Sequence, residues 1–296
     1  MFVIKDFRTS PAFERIGPVD AEAPILFNSP HSGVHYPQSF LDSARLDRSQ
    51  IRRSEDTFVD ELFASATLHG ASFMRALFPR VYLDVNREPY ELDPSMFSGS
   101  LPDYANVRSI RVASGLGTIA RIVSDSEEIY AHSLPVYDAL ERIETVYKPY
   151  HATLRETLEN IRARFGYAVL IDCHSMPSLA RTALGRNRPD FILGDRYGSS
   201  CSSHMINIAA STLKSMGYTI GRNKPYAGGF ITEHYGRPEE HLHALQIEVN
   251  RGLYMNEADY SRSDGFPRLV ADLDNLSQTL CNFALNYMDP LHLAAE

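Results

Sequence analysis

Two histidines in this chain follow short apolar runs. Ala168-Val-Leu-Ile-Asp-Cys-His-Ser-Met176 carries His174, and Ile25-Leu-Phe-Asn-Ser-Pro-His-Ser-Gly33 carries His31. A continuous apolar run bounded by Gly166 and Pro177 suits a strand buried on both faces, as in a parallel sheet. Such sheets place their chemistry beyond the carboxyl ends of the strands. Arg87, at the exit of Arg80–Val85, and Glu248, within Ala244–Arg251, bring two more ionisable groups to that edge. Unpaired charge inside a sheet is expensive, so four such groups aimed at one edge point to a site.

Two neutral imidazoles and one carboxylate are the usual protein ligands of a catalytic zinc, the fourth position being left for water. His31 and His174 supply the nitrogens. Glu55, in Ser54-Glu-Asp-Thr57 at the start of the first helix, is the best placed carboxylate, with Asp56 beside it as the alternative. Zinc lowers the pKa of its water to about 7 and polarises a carbonyl oxygen. A second carboxylate must then accept a proton and hand it to the leaving nitrogen, and Glu248 fits that role. Cys173 adjoins His174 but points to the opposite face of a strand, so the two do not make a thiol–imidazole pair. No G-x-S-x-G nucleophile elbow is present. Of the remaining histidines, His151 and His234 sit in clusters with Tyr, Pro or Gly, while His35, His241 and His243 read as surface or supporting groups.

These residues require a scaffold of alternating strands and helices. Residues 1–24 read as a loosely packed arm, and residues 25–296 as a single catalytic α/β domain. Strands are expected at Ile25–Asn28, Ser72–Leu77, Arg80–Val85, Ala168–Ile171, Asp190–Asp195, Tyr218–Gly221 and Ala244–Arg251. In the last of these, Gln246, Glu248 and Asn250 share one face and Ile247 and Val249 the other. Phe58, Leu62, Phe63 and Ala66 recur at helical spacing up to Gly70. Glu127–Phe165 is mostly helical, broken near Pro135 or bent at Pro149, with Tyr147-Lys-Pro-Tyr-His151 between two apolar stripes. Helices are also expected at Cys201–Met216 and about Leu269–Tyr287. Residues 93–117, rich in Ser, Pro, Gly and Asn, read as a long loop, and Pro225–Phe230 as a glycine loop. The architecture is α/β, a mixed and mostly parallel central sheet flanked by helices.

A formal charge of −8 argues against wholesale binding to nucleic acid or an anionic membrane. Three dispersed cysteines, Cys173, Cys201 and Cys281, offer neither a disulfide framework nor a thiolate metal site. Charges interrupt the first residues where a signal peptide needs an apolar stretch, so a cytoplasmic location is expected.

Six short motifs occur in order: Asn28-Ser-Pro-His-Ser-Gly33, Ser54-Glu-Asp-Thr57, Asp84-Val-Asn-Arg-Glu88, Tyr147-Lys-Pro-Tyr-His151, Asp172-Cys-His-Ser175 and Ile247-Glu-Val-Asn-Arg251. Together they resemble the N-formylglutamate amidohydrolase family over roughly residues 25–285. The resemblance implies a phosphorylase or zinc-carboxypeptidase-like fold. It also implies one zinc per chain on His31, Glu55 and His174, with Glu248 as the base. Asp84-Val-Asn-Arg87 is similar to the Asp-Leu-Asn-Arg of aspartoacylases, which implies that Asn86 and Arg87 hold a substrate carboxylate, with Arg251 next in line. The implied partner is a small anionic N-acyl amino acid, first N-formyl-L-glutamate, cleaved to formate and glutamate in histidine degradation. The rival readings are a muramoyl-alanine-type or other peptide amidase, and a zinc-stabilised binding protein without activity.

Overall fold

Nine consecutive residues, Ala168–Met176, are all buried and form the central strand of the protein. A computed structural model describes residues 3–18, 20–123, 127–178 and 189–287. Seven strands make the main sheet: β1 (Phe13–Ile16), β2 (Ile25–Ser29), β3 (Ser72–Ala76), β4 (Ala168–Met176), β5 (Phe191–Gly194), β6 (Ile220–Arg222) and β7 (Leu242–Asn250). Their order is β6-β5-β7-β4-β2-β3-β1. β4 runs parallel to both β2 and β7, and β6 runs parallel to β5. β5 and β7 are antiparallel, which makes the sheet mixed. The expected α/β architecture with a mostly parallel sheet is what the chain adopts.

The chain divides into two compact units. The first comprises Arg15–Ser29, Asp56–Met74 and Arg155–Glu296, the second Met1–Glu14, Pro30–Glu55 and Arg75–Leu154. In the first unit the strands alternate as their sequence demands. Val169, Ile171 and Cys173 of β4 join Ile247 and Val249 of β7 in one apolar cluster. The helices α1 (Val59–Leu62), α2 (Ser203–Ser215) and α3 (Phe266–Asn286) cover that face with Leu62, Met205, Leu269, Leu273 and Leu280. Each of these buried side chains contributes about 1.5–3 kcal/mol relative to an exposed one. The opposite face of β4 carries Asp172 and His174, so the hydrophobic layer fixes which way the chemistry points.

The second unit is less regular. Residues 136–165 run as one helical stretch, Val136–Arg142, then a π-helical turn Ile143–Tyr147, then Lys148–Phe165, the last passing on into the first unit. The widened turn lies just before Pro149, which has no N–H to give to an α-helical bond. Arg80–Val85 is not the strand its alternation suggested. Turns at Pro79 redirect it, with Tyr82 N donating to Pro79 O at 3.0 Å, and Asp84 N donates to Thr118 O at 2.8 Å. Val81, Leu83 and Val85 are nevertheless buried, as is Asp84, so the apolar residues here reported burial rather than a ladder. Arg87 therefore leaves a turn, not a strand. No helix among the described residues is long and apolar enough to cross a membrane.

Candidate active site

Three parallel strands assemble a polar face in the first unit. Asn28 of β2 pairs with Asp172 of β4, and Asp172 and His174 pair with Gln246 and Glu248 of β7. Residues in register share a face, and all five are buried. Asn28 Nδ2 donates to Asp172 Oδ1 at 3.0 Å, and His174 Nε2 donates to Asp172 Oδ2 at 2.9 Å. On its other side His174 Nδ1 lies 3.0 Å from Asp56 Oδ2. Asp56 Oδ1 accepts from Ser175 Oγ at 3.1 Å and from Arg251 Nη2 at 3.3 Å.

Burial alone would lower the pKa of His174, but Asp172 and Asp56 raise it well above the ordinary value. A positive charge at the ring is thus favoured from two sides. Glu248 accepts from Gln246 Nε2 at 2.9 Å, and Gln246 Oε1 accepts from Gly229 N at 2.8 Å, which ties the glycine loop to β7. Cys173 lies on the other face, where burial pushes its thiol well above the usual range. It is a packing residue.

Asp56 owes its place to a sharp entry into α1. Phe58, two residues on, has φ of 66°, in the left-handed region that phenylalanine rarely adopts. Such a residue costs about 1–3 kcal/mol and persists only where its surroundings fix it. Phe266 packs edge-on against the Phe58 ring at 5.7 Å, and the Arg262 guanidinium lies 4.9 Å from it.

In the second unit His31 is completely buried, and its Nε2 donates to Asp84 Oδ1 at 2.8 Å. Asp84 Oδ1 also accepts from Asn86 N at 2.8 Å, and Asp84 Oδ2 accepts from Arg80 Nε at 2.9 Å. Burial would raise the Asp84 carboxyl, but Arg80, Arg87 and His31 hold it well below its usual range. Arg87 Nε donates to Leu116 O at 2.9 Å and its Nη1 to Asn86 O at 2.8 Å. Glu55 is buried and accepts from the Tyr36 hydroxyl and from Arg52 Nε at 2.9 Å.

His31 in the second unit, and Asp56 and His174 in the first, are buried side chains of the types that ligate metals. The donor chemistry fits a zinc-type ion, two imidazoles and a carboxylate. Metal-ligating histidines ordinarily give their second ring nitrogen to a carboxylate. Asp84 receives that of His31 and Asp172 that of His174. These two supporting aspartates were missed in reading the sequence. Period-two alternation would have put Asp172 beside His174, whereas nothing local in the sequence ties Asp84 to His31.

The model of the family "N-formylglutamate amidohydrolase" matches residues 23–255. An N-formylglutamate deformylase of Pseudomonas putida is 29% identical over 239 residues, 80% of this chain and 83% of that protein. The Pseudomonas aeruginosa protein of the same name is 29% identical over 237 residues, covering 79% and 83%. The crystal structure of N-formylglutamate amidohydrolase from Ralstonia eutropha is 35% identical, with a TM-score of 0.87, covering 92% of this chain and 98% of that one. A gene product of Agrobacterium tumefaciens shares the fold, at 17% identity and a TM-score of 0.66. With the family model spanning most of its length, the chain belongs to the N-formylglutamate amidohydrolase family.

Proposed function

We propose that this protein hydrolyses the amide bond of N-formyl-L-glutamate, giving formate and L-glutamate, with one zinc per chain on His31, Asp56 and His174. The observation that carries the reading is the register of Glu248 with His174 on one buried face. It supports a proton-handling carboxylate beside a metal ligand. Asp56 takes the ligand role in place of Glu55, because the Glu55 carboxylate is engaged by Tyr36 and Arg52 while Asp56 reaches His174. Bound there, a zinc ion would polarise the formyl carbonyl and acidify a water molecule.

The chain's own groups do the rest. Glu248 accepts the proton lost by water as its oxygen adds to the formyl carbon, and returns it to the glutamate nitrogen as the C–N bond breaks. Gln246 orients the Glu248 carboxylate by donating to its Oε1. Arg87 holds a substrate carboxylate with Asn86 beside it. Arg251, which donates to Asp56 and Ser175, steadies the ligand and is second choice for that carboxylate. The relatives named as deformylases support the substrate. The whole region from residue 25 acts as the catalytic domain, and the enzyme works in the cytoplasm on the formylated product of histidine breakdown.

The test is a hydrolysis screen over N-formyl, N-acetyl and N-succinyl amino acids, run with metal analysis of the same sample. Fastest turnover on N-formyl-L-glutamate by metal-loaded protein is expected. Preference for another acyl group would overturn the substrate.

A further inference from the structure

The motif Tyr147-Lys-Pro-Tyr-His151 has so far no duty in the reaction. Both ends of it reach the same short turn. His151 Nε2 donates to Val85 O at 2.8 Å, and the Tyr147 hydroxyl donates to Arg87 O at 2.7 Å. Between them Arg87 Nη1 donates to Asn86 O, so three consecutive carbonyls, Val85, Asn86 and Arg87, are each taken. The Tyr147 and His151 rings pack against each other in a tilted arrangement, with centroids 4.3 Å apart and planes at 31°, and both are buried. A π-helical turn ends at Tyr147. Its extra residue rotates the side chains that follow relative to those before, and such turns recur at functional sites. Helix packing alone would not call for two donors aimed at backbone oxygens on either side of Asn86.

We infer that Tyr147 and His151 are positioning residues that clamp the Val85–Arg87 turn and so aim the Arg87 guanidinium at the substrate carboxylate. The inference rests on the proposed role of Arg87. With Nη1 given to Asn86 O within the turn and Nε to Leu116 O outside it, the turn and Leu116 together set the direction of the guanidinium. Misplacing a binding group by about 1 Å can cost up to about 10²-fold.

The experiment is a set of double-mutant cycles on the purified full chain, with KM and kcat for N-formyl-L-glutamate measured separately. Tyr147→Phe keeps the ring contact and removes the donor; His151→Leu removes the imidazole donor. Each is expected to raise KM about tenfold with kcat changed by less than about twofold. Neither should raise KM further in an Arg87→Ala background, because groups acting through one another are not additive. His151→Gln keeps an amide that can donate to Val85 O, and its KM should stay within about threefold of the starting enzyme. Equal effects in both backgrounds, or a lower Tm with KM unchanged, overturns the clamp and leaves the Arg87 role standing. An Arg87→Ala enzyme with unchanged KM overturns that role and the clamp with it.

Discussion

His31 Nε2 and Asp84 Oδ1 are 2.8 Å apart, and the same carboxylate also accepts from the Asn86 amide and from Arg80. One buried aspartate thus supports a proposed metal ligand and the turn that carries the proposed substrate-binding residues. Asp172 stands in the same relation to His174 and also accepts from Asn28. Removing the charge from such a supporting carboxylate typically costs about 10- to 100-fold in metal affinity. Asp84→Asn and Asp172→Asn should each weaken zinc by that factor, measured by competition with a chelator. Asp84→Asn should in addition raise KM, which Asp172→Asn should not.

The choice between adjacent carboxylates is open to direct measurement. Asp56→Asn should leave the protein with much less than one zinc per chain. Glu55→Gln should keep its zinc and lose thermal stability, because a buried group hydrogen-bonded to Tyr36 and Arg52 is weakened. The opposite pattern of metal content would return the ligand role to Glu55.

Glu248→Gln keeps the side-chain shape and a carbonyl that can still accept from Gln246, but it cannot take up a proton. The variant should fold, hold zinc, and lose about 10²- to 10⁴-fold in kcat. Retention of most turnover would assign the base elsewhere.

Arg87→Lys keeps the charge and loses the planar set of donors, two of which reach carbonyls. A fall in kcat/KM of at least about tenfold, near 1.4 kcal/mol, is expected. Unchanged kinetics would move the carboxylate to Arg251.

Zinc must displace any proton from His174. Burial works against that proton, yet Asp172 and Asp56 raise the pKa well above the ordinary value. Metal affinity should therefore climb as pH rises through about 6.5 and go on climbing above it. A plateau already reached below that pH, in competition titrations, would contradict the two-carboxylate environment.

What the sequence disclosed follows from how local each signal was. The β4 run had apolar residues on both faces, so its start at Ala168 was readable, while the strand continues past the expected Ile171 to Met176; the alternation of β7 separated Glu248 from Ile247 and Val249. Arg80–Val85 misled because a turn anchored at Pro79 and at Thr118 buries Val81, Leu83, Asp84 and Val85 without any strand partner being needed. The Asp84–His31 contact spans 53 residues and has no local trace. Glu55 and Asp56 differ only in which partners their carboxylates meet, Tyr36 and Arg52 for one and His174 for the other. Spacing alone does not separate them.

The ladder between β4 and β7 runs unbroken from Leu242 opposite Ala168 to Asn250 opposite Met176. Sliding either strand by one residue would turn His174 or Glu248 toward the apolar cluster. The two strands should therefore tolerate exchanges of side chain far better than any insertion or deletion. Natural length variation and engineered loop grafts should be accommodated outside these nine rungs, which act as the ruler that the chemistry is measured against.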